Sequence, residues 1–182
     1  MTLTVPALDD GVVRLRPPEP DDVDAIFVAV QDPEIPRFTT IPWPYERIHA
    51  LNHVKEAART WREGVAATFV MVDSSTDELI GSIGLVELDR EAGVAEVGYW
   101  VARGFRGRGI ATRAVRLVAS WALHDLGVER LELQADLRNH ASHRVAEKAG
   151  FNREGEVDPP ARCRERSDRM VMFALTVADL AE

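Results

Sequence analysis

Three glycines and three arginines crowd into the seven residues 103 to 109 of the stretch RGFRGRGIAT (103 to 112), and an apolar helical pattern follows. A turn with so much glycine and charge does not pack as a core element. It joins an extended segment to the start of a helix. The first N–H groups of a helix have no internal partner and point out of its end with about half a positive charge behind them. Gly107 and Gly109 let a ligand approach the backbone, and Arg106 and Arg108 add charge at the rim. Such a turn suits phosphate or pyrophosphate. Two rival phosphate motifs fit poorly. A P-loop needs Lys and then Ser or Thr after its second glycine, and neither is here. A dinucleotide fingerprint follows the first strand of a βαβ unit, whereas this turn follows a fourth strand, with no parallel βα units before it.

Around the turn, periodicity divides the chain into short elements. VVRLR (12 to 16) alternates as a first strand. A helix follows, capped by Asp21 with Asp24 three residues on and stopped by Pro33. FTTIPWP reads as a loop. A second helix opens at Pro44, buries Leu51, Val54, Ala58 and Trp61, and ends at Gly64. ATFVMVD, LIGSIGLVEL and AGVAEVGYWVA are the second to fourth strands. After the glycine turn come a helix to about 126, closed by Gly127, and a fifth strand, RLELQAD. Asn139 caps a short helix that Gly150 ends. VMFALTV is the last strand, with FNREGEV pairing beside it. Strands in antiparallel runs with helices between them predict an α+β fold, helices flanking a twisted sheet.

At 182 residues the chain reads as one domain, 1–182, with an ordinary globular hydrophobic fraction of 46%. Its net charge of −8 argues against nucleic acid as the main partner. Solubility explains that charge, and steering of a cationic substrate is compatible with it. No apolar run approaches the roughly 20 residues of a membrane span. MTLTVPALDDG lacks the basic and apolar regions of a signal peptide. Cys163 is the only cysteine, so no internal disulfide forms. These features predict a cytoplasmic protein with no membrane partner.

Residues 106 to 111, RGRGIA, resemble the Arg/Gln-x-x-Gly-x-Gly/Ala acetyl-CoA signature of the GNAT acetyltransferases. AEVGYWV before it and NHASHRVAEKAGF (139 to 151) after it are similar to the RimJ/RimL branch, which acetylates protein N-termini. The late motif of that branch falls on Asn139, Ser142, Lys148, Gly150 and Phe151. LIGSIGL resembles the family's third strand, and RLRPPEPDDVDAI its first strand and helix. The resemblance spans nearly the whole chain in order. It departs at Arg103, where many members have proline, which loosens the turn and leaves the phosphate-binding part intact.

The resemblance implies a GNAT fold, a mostly antiparallel sheet splayed between the fourth and fifth strands. It implies a bacterial enzyme with acetyl-CoA as donor and no metal. Backbone N–H groups of Arg106, Gly107, Arg108, Gly109, Ile110 and Ala111 would hold the pyrophosphate. The strand at Tyr99, Trp100 and Val101 would pair with the pantetheine arm, and Asn139 would contact it. A backbone N–H near Val101 would meet the oxyanion. The acceptor is a cationic primary amine, in this branch a protein N-terminus. Open alternatives are a small amine (an aminoglycoside, a polyamine or a peptide antibiotic) and a CoA-binding module without catalysis. A homodimer is left open.

Acetyl transfer needs a neutral amine and help for the leaving thiolate. At pH 7 roughly one α-amine in ten is neutral, against well under one lysine in a thousand. Glu96, two residues before Gly98, is the candidate base, and Glu87 on the neighbouring strand is a second, more solvent-facing one. Many GNAT enzymes use a tyrosine after the fifth strand as acid, and neither Tyr45 nor Tyr99 is there. Ser142, in the first turn of the late helix, is the candidate acid, with helix capping as its other use.

Other residues carry weaker signals. His49 and His53 are four apart but complete no metal motif, and read as solvated helix histidines. His140 and His143 flank Ser142, where neutral imidazole suits proton transfer. Phe38, Trp43 and Tyr45 form either a lid or a hydrophobic plug at the acceptor side. ARCRERSDR (161 to 169) reads as a solvated basic hairpin, with substrate or a second subunit as its other contacts, and Cys163 as a bystander.

Overall fold

The computed structural model describes residues 6–163 and 169–181. It opens with β1 (Leu8–Asp9) and β2 (Val13–Arg16), then α1 (Val23–Val30), α2 (Glu34–Arg37) and α3 (Arg47–Glu63). Three strands follow: β3 (Ala67–Asp73), β4 (Leu79–Asp89) and β5 (Val94–Val101). α4 (Ile110–Ser120) runs through a π-helical turn, Trp121–Asp125, to β6 (Arg130–Asp136). α5 (His140–Lys148), β7 (Asn152–Val157) and β8 (Met170–Thr176) complete the sheet.

The strands lie in the order β1-β2-β3-β4-β5-β6-β8-β7. Every pairing is antiparallel except that of β5 with β6. These two are the fourth and fifth strands of the sequence reading, renumbered because β1 is too short for periodicity to reveal. They pair only at Val94–Arg130, Ala95–Leu131 and Glu96–Glu132. Beyond Glu96 they part, while β5 stays in register with β4 as far as Val101. The expected splay is therefore present, and it fixes where a ligand can enter.

Strand alternation builds two cores, one on each face of the sheet. Ala67, Phe69 and Met71 of β3 join Ala114, Val115 and Val118 of α4. Val70 and Val72 turn the other way, to Ile26 and Val30 of α1 and Val54 of α3. Among the described residues, no helix is long and apolar enough to cross a membrane.

Two helix starts differ from the sequence reading. Among the described residues Asp21 caps nothing: the chain enters α1 through a 3-10 turn, Pro20–Asp22, whose capping box pairs Glu19 with Asp22. Asp22 Oδ2 accepts from the Glu19 N–H at 2.7 Å, and the two Asp22 oxygens accept from Arg16 at 2.7 and 2.8 Å. Asp22 is buried where it can meet that arginine, while Asp21 faces water. α3 starts at Arg47 rather than Pro44, because His49 Nδ1 accepts from the Glu46 N–H at 2.9 Å and closes its first turn there. Its end is where the sequence placed it, at Gly64 with φ 72°. A side chain there strains the left-handed backbone by roughly 1–2 kcal/mol. Gly64→Ala should lower the unfolding free energy by about 1 kcal/mol, read as a lower denaturant midpoint at unchanged slope. An unmoved midpoint would mean that the helix end relaxes to accept alanine.

Candidate active site

The parting of β5 and β6 opens a cavity of about 1360 Å³. Residues 97–101 of β5 and 133–135 of β6 form its wedge, and Asn139, Ala141, Ser142 and Val145 of α5 form one wall. The opposite wall comes from the region after α1 and from α3, including Phe38, Ile41, Tyr45 and His53.

Alternation along β5 sends its side chains to opposite sides of this wedge. Trp100 packs in the α1–α3 core, and Val97, Tyr99 and Val101 go with the α4 core. Glu96 shares the face of Trp100 by the two-residue repeat. Glu96 and Tyr99 thus approach the opening from different faces of the sheet.

The Glu96 side chain is only 13% exposed. Its oxygens accept from Arg162 Nη2 at 2.6 Å each, and Oε2 accepts from Gln134 Nε2 at 3.2 Å. Burial pushes its pKa above the ordinary glutamate value. The Arg162 guanidinium opposes that, and the charges of Glu87 and Glu132 add to it. On the other face, the Tyr99 hydroxyl lies 2.7 Å from Ser142 Oγ. Burial pushes the Tyr99 phenol up to about 12, and the bond to Ser142 pulls the other way. Asn139 caps α5 as expected, its Oδ1 accepting from the Ser142 N–H at 3.2 Å. The cap therefore uses Ser142's backbone and leaves its hydroxyl to Tyr99.

The glycine turn joins β5 to α4. Gly107 and Gly109 have φ 74° and 78°, and a Cβ at either would meet nothing within 4 Å. Backbone conformation rather than crowding requires glycine there, so the turn is open to an incoming group. Gly107, Arg108 and Gly109 are exposed beside the cavity, Ala111 lines it, and Ile110 is buried under α4. Arg106 stands at the rim as expected, exposed and lining the cavity, but its charge is already engaged. Its Nε donates to the Val101 carbonyl at 2.9 Å, and its Nη2 lies 2.8 Å from Asp32 Oδ2, off the line of a straight hydrogen bond. Its side chain ties the turn to the end of β5, because Asp32 offers a nearly buried counter-charge. Arg108 lies over the Phe105 ring at 5.3 Å.

Several other expectations change. His53 is not a solvated histidine. Its Nε2 is buried without a hydrogen-bond partner in the cavity wall, and burial holds its pKa low. His143 turns away from the cavity, with Nε2 3.0 Å from the Asp136 carbonyl, and His140 is exposed. The aromatic loop divides: Tyr45 is buried, Phe38 lines the cavity and Trp43 is 52% exposed. Of the basic stretch 161 to 169, residues 164–168 lie outside the described residues. Arg162 is exposed, but rather than standing free in solvent it lines the cavity and bonds Glu96. Cys163 lines the cavity beside it. Charge alone marked Arg162 in the sequence, and nothing local paired it with a strand 66 residues away. Glu87 faces solvent as expected, with its side chain 64% exposed.

Residues 13–152 match the family described as Acetyltransferase (GNAT) domain. The chain belongs to the GNAT acetyltransferases. It is an enzyme that transfers acetyl groups to nitrogen. Among its relatives is an uncharacterized N-acetyltransferase, p20, of Bacillus licheniformis, 28% identical over 93% of this chain and 95% of its own. Among solved structures, RimL, the ribosomal L7/L12 alpha-N-protein acetyltransferase in complex with coenzyme A, superposes with a TM-score of 0.83. It is 18% identical, with 97% of this chain and 99% of its own covered. Mycobacterium smegmatis RimJ follows at 0.82, 22% identical, over 98% and 89%. The fold of this acetyltransferase is thus that of the RimJ/RimL branch, as its motifs indicated.

Proposed function

We propose that this acetyltransferase draws on acetyl-CoA held in the β5–β6 wedge and acetylates a primary amine, in the first place the α-amine of a protein N-terminus. The observation that carries the reading is the wedge itself. A carboxylate stands on one face of the sheet and a paired hydroxyl on the other, at the point where the strands part. The residues present fit the donor. The exposed residues Gly107 to Gly109 and the first turn of α4, Ile110 and Ala111, offer backbone N–H groups to the pyrophosphate, while the Arg106 N–H is turned to the Arg103 carbonyl. The free edge of β5 at Tyr99 to Val101 suits the pantetheine arm, with the Val101 carbonyl already engaged by Arg106. Asn139 adds a contact from α5. Acetyl-CoA supplies an activated acetyl group on a thiol that leaves readily.

Glu96 takes the proton that the amine loses as its nitrogen bonds to the carbonyl carbon and the carbon–sulfur bond breaks. The thiolate finally takes a proton from the Ser142 side or from water. Full transfer from Tyr99, at about 12, to a thiolate of pKa near 8.5 is uphill. Ser142, with Tyr99 behind it, therefore acts chiefly as a hydrogen-bond donor to the departing sulfur. An α-amine suits this site, because one such amine in about ten is already neutral at pH 7. RimL, which shares the fold, is an alpha-N-protein acetyltransferase, and this supports a protein N-terminus as the acceptor class.

The test is thermal unfolding with acetyl-CoA, followed by mass spectrometry of acetylated products from peptides, spermidine and kanamycin. At about 100 times Kd the ligand should add roughly 2.7 kcal/mol, a rise of roughly 5–10 °C for this length. No rise at millimolar acetyl-CoA sinks the donor reading. Acetylation of spermidine or kanamycin but of no peptide sinks the N-terminus reading alone.

A further inference from the structure

Glu87 and Glu96 are cross-strand partners on β4 and β5, beside a register shift between Leu85 and Glu87. Glu132 of β6 continues the row as the parallel partner of Glu96. Like charges directly opposite one another destabilise a sheet. Arginines answer this row in two ways. Arg130, on β6 itself, bonds Glu132 at 2.7 Å and Glu154 of β7, and belongs to the sheet. Arg162 comes from the segment between β7 and β8 and lines the cavity. Its Nη1 lies 2.5 Å from Glu87 Oε1, and its Nη2 lies 2.6 Å from both Glu96 oxygens.

Arg162 Nη2 contacts both Glu96 oxygens and Gln134 bonds Oε2, so three of the roughly four lone-pair sites of the carboxylate are engaged and little is left to take a proton from an amine. Arg162 and an acceptor ammonium compete for the same lone pairs. We infer that Arg162 is a displaceable stand-in for the acceptor: its guanidinium occupies the place of the acceptor's cationic nitrogen at Glu96 and leaves when that nitrogen enters. This deepens the proposed function and rests on Glu96 as the base. The exchange conserves charge, one cation for another. Its outer half is wet, since the Glu87 side chain is 64% and that of Arg162 32% exposed, and such a pair holds weakly. Its inner half covers a nearly buried carboxylate that would otherwise face the cavity unpaired. A molecule with no basic nitrogen cannot replace the guanidinium charge there, so Arg162 selects for amine acceptors, which arrive mostly as the ammonium and react in the neutral form.

Arg162→Ala and Arg162→Lys test this. Spermidine, kanamycin and a tripeptide amide with a free N-terminus are titrated calorimetrically into each CoA-loaded protein. Removing the plug should tighten at least one amine by the inverse of the fraction of time the plug is out, on the order of tenfold if that fraction is a tenth. The lysine variant should bind as wild type does. Equal or weaker binding of all three amines by the alanine variant, or no binding to either protein, overturns the inference. For any amine that is turned over, the pH profile adds a second reading. Among the described residues, the groups facing Glu96 are Glu87 from β4, Glu132 and Gln134 from β6, and Arg162. Without Arg162 no cation remains among them, and Glu96 takes its proton at higher pH. The kcat/KM profile reports the free enzyme and the kcat profile the complex. The acidic limb of kcat/KM should therefore move up in Arg162→Ala while that of kcat stays, because in the wild-type complex Arg162 has already left. Equal movement of both limbs means that it never leaves. A protein that binds acetyl-CoA yet acetylates nothing overturns the acceptor reading, and the calorimetry still decides the plug.

Discussion

Glu96→Gln is expected to lower kcat/KM for an amine acceptor by about 10²–10⁴-fold, the usual contribution of a general base. The change keeps the size of the side chain and removes its capacity to take a proton. The pH profile separates this from a packing effect. Glu96 must be ionised to act, so the rate falls as pH drops through its pKa. Burial places that pKa above the ordinary glutamate range, with Arg162 partly opposing and Glu87 and Glu132 reinforcing. The acidic limb of wild type should therefore lie above the ordinary value and vanish in the variant. The limb from the acceptor's own α-amine, near 8, should remain. Steady-state thiol release against pH checks both. A loss of less than tenfold, with the acidic limb intact, would remove Glu96 from the reaction.

Gly109→Glu should abolish the acetyl-CoA-dependent rise in unfolding temperature. The residue stands at φ 78° immediately before α4. A side chain costs roughly 1–2 kcal/mol there through the left-handed backbone alone. The carboxylate adds a negative charge at the helix start, where the pyrophosphate would compete for the same N–H groups. Space is not the issue, since a Cβ meets nothing within 4 Å. The apo variant should accordingly stay folded, with a modestly lower midpoint, and show no rise at ligand concentrations that shift wild type. Gly109→Ala separates the two causes, because it carries the backbone strain without the charge. An undiminished rise in Gly109→Glu would place the pyrophosphate elsewhere.

Much of this protein was legible locally. The glycine turn, the caps at Gly64 and Asn139, and the strands from β2 to β8 follow from backbone preference and from two- and 3.6-residue periods, which need only neighbours in the chain. Short elements escaped: β1 has two residues and α2 four, too few for a period to show. Asp22 rather than Asp21 is engaged before α1, in a capping box with Glu19 and a bond to Arg16 of the preceding strand, a partner that local capping rules do not contain.

The site itself depended on distance. Glu96 and Ser142 were named from motif and position, but their partners were not. The hydroxyl of Tyr99 meets Ser142 43 residues away, and Arg162 meets Glu96 66 residues away. The pairing of Arg106 with Asp32 and the burial of His53 likewise come from elements packed against them. The sequence by itself determined where the chain bends, which segments are strands and helices, and which turn is left open at a helix start, because those follow from residues a few positions apart. Only the tertiary structure decided that β5 and β6 part at Glu96, that base and hydroxyl stand on opposite faces, and that an arginine fills the space between two glutamates. Those outcomes depend on how separate segments pack, and the burial that shifts a pKa or pairs a charge exists only once they have.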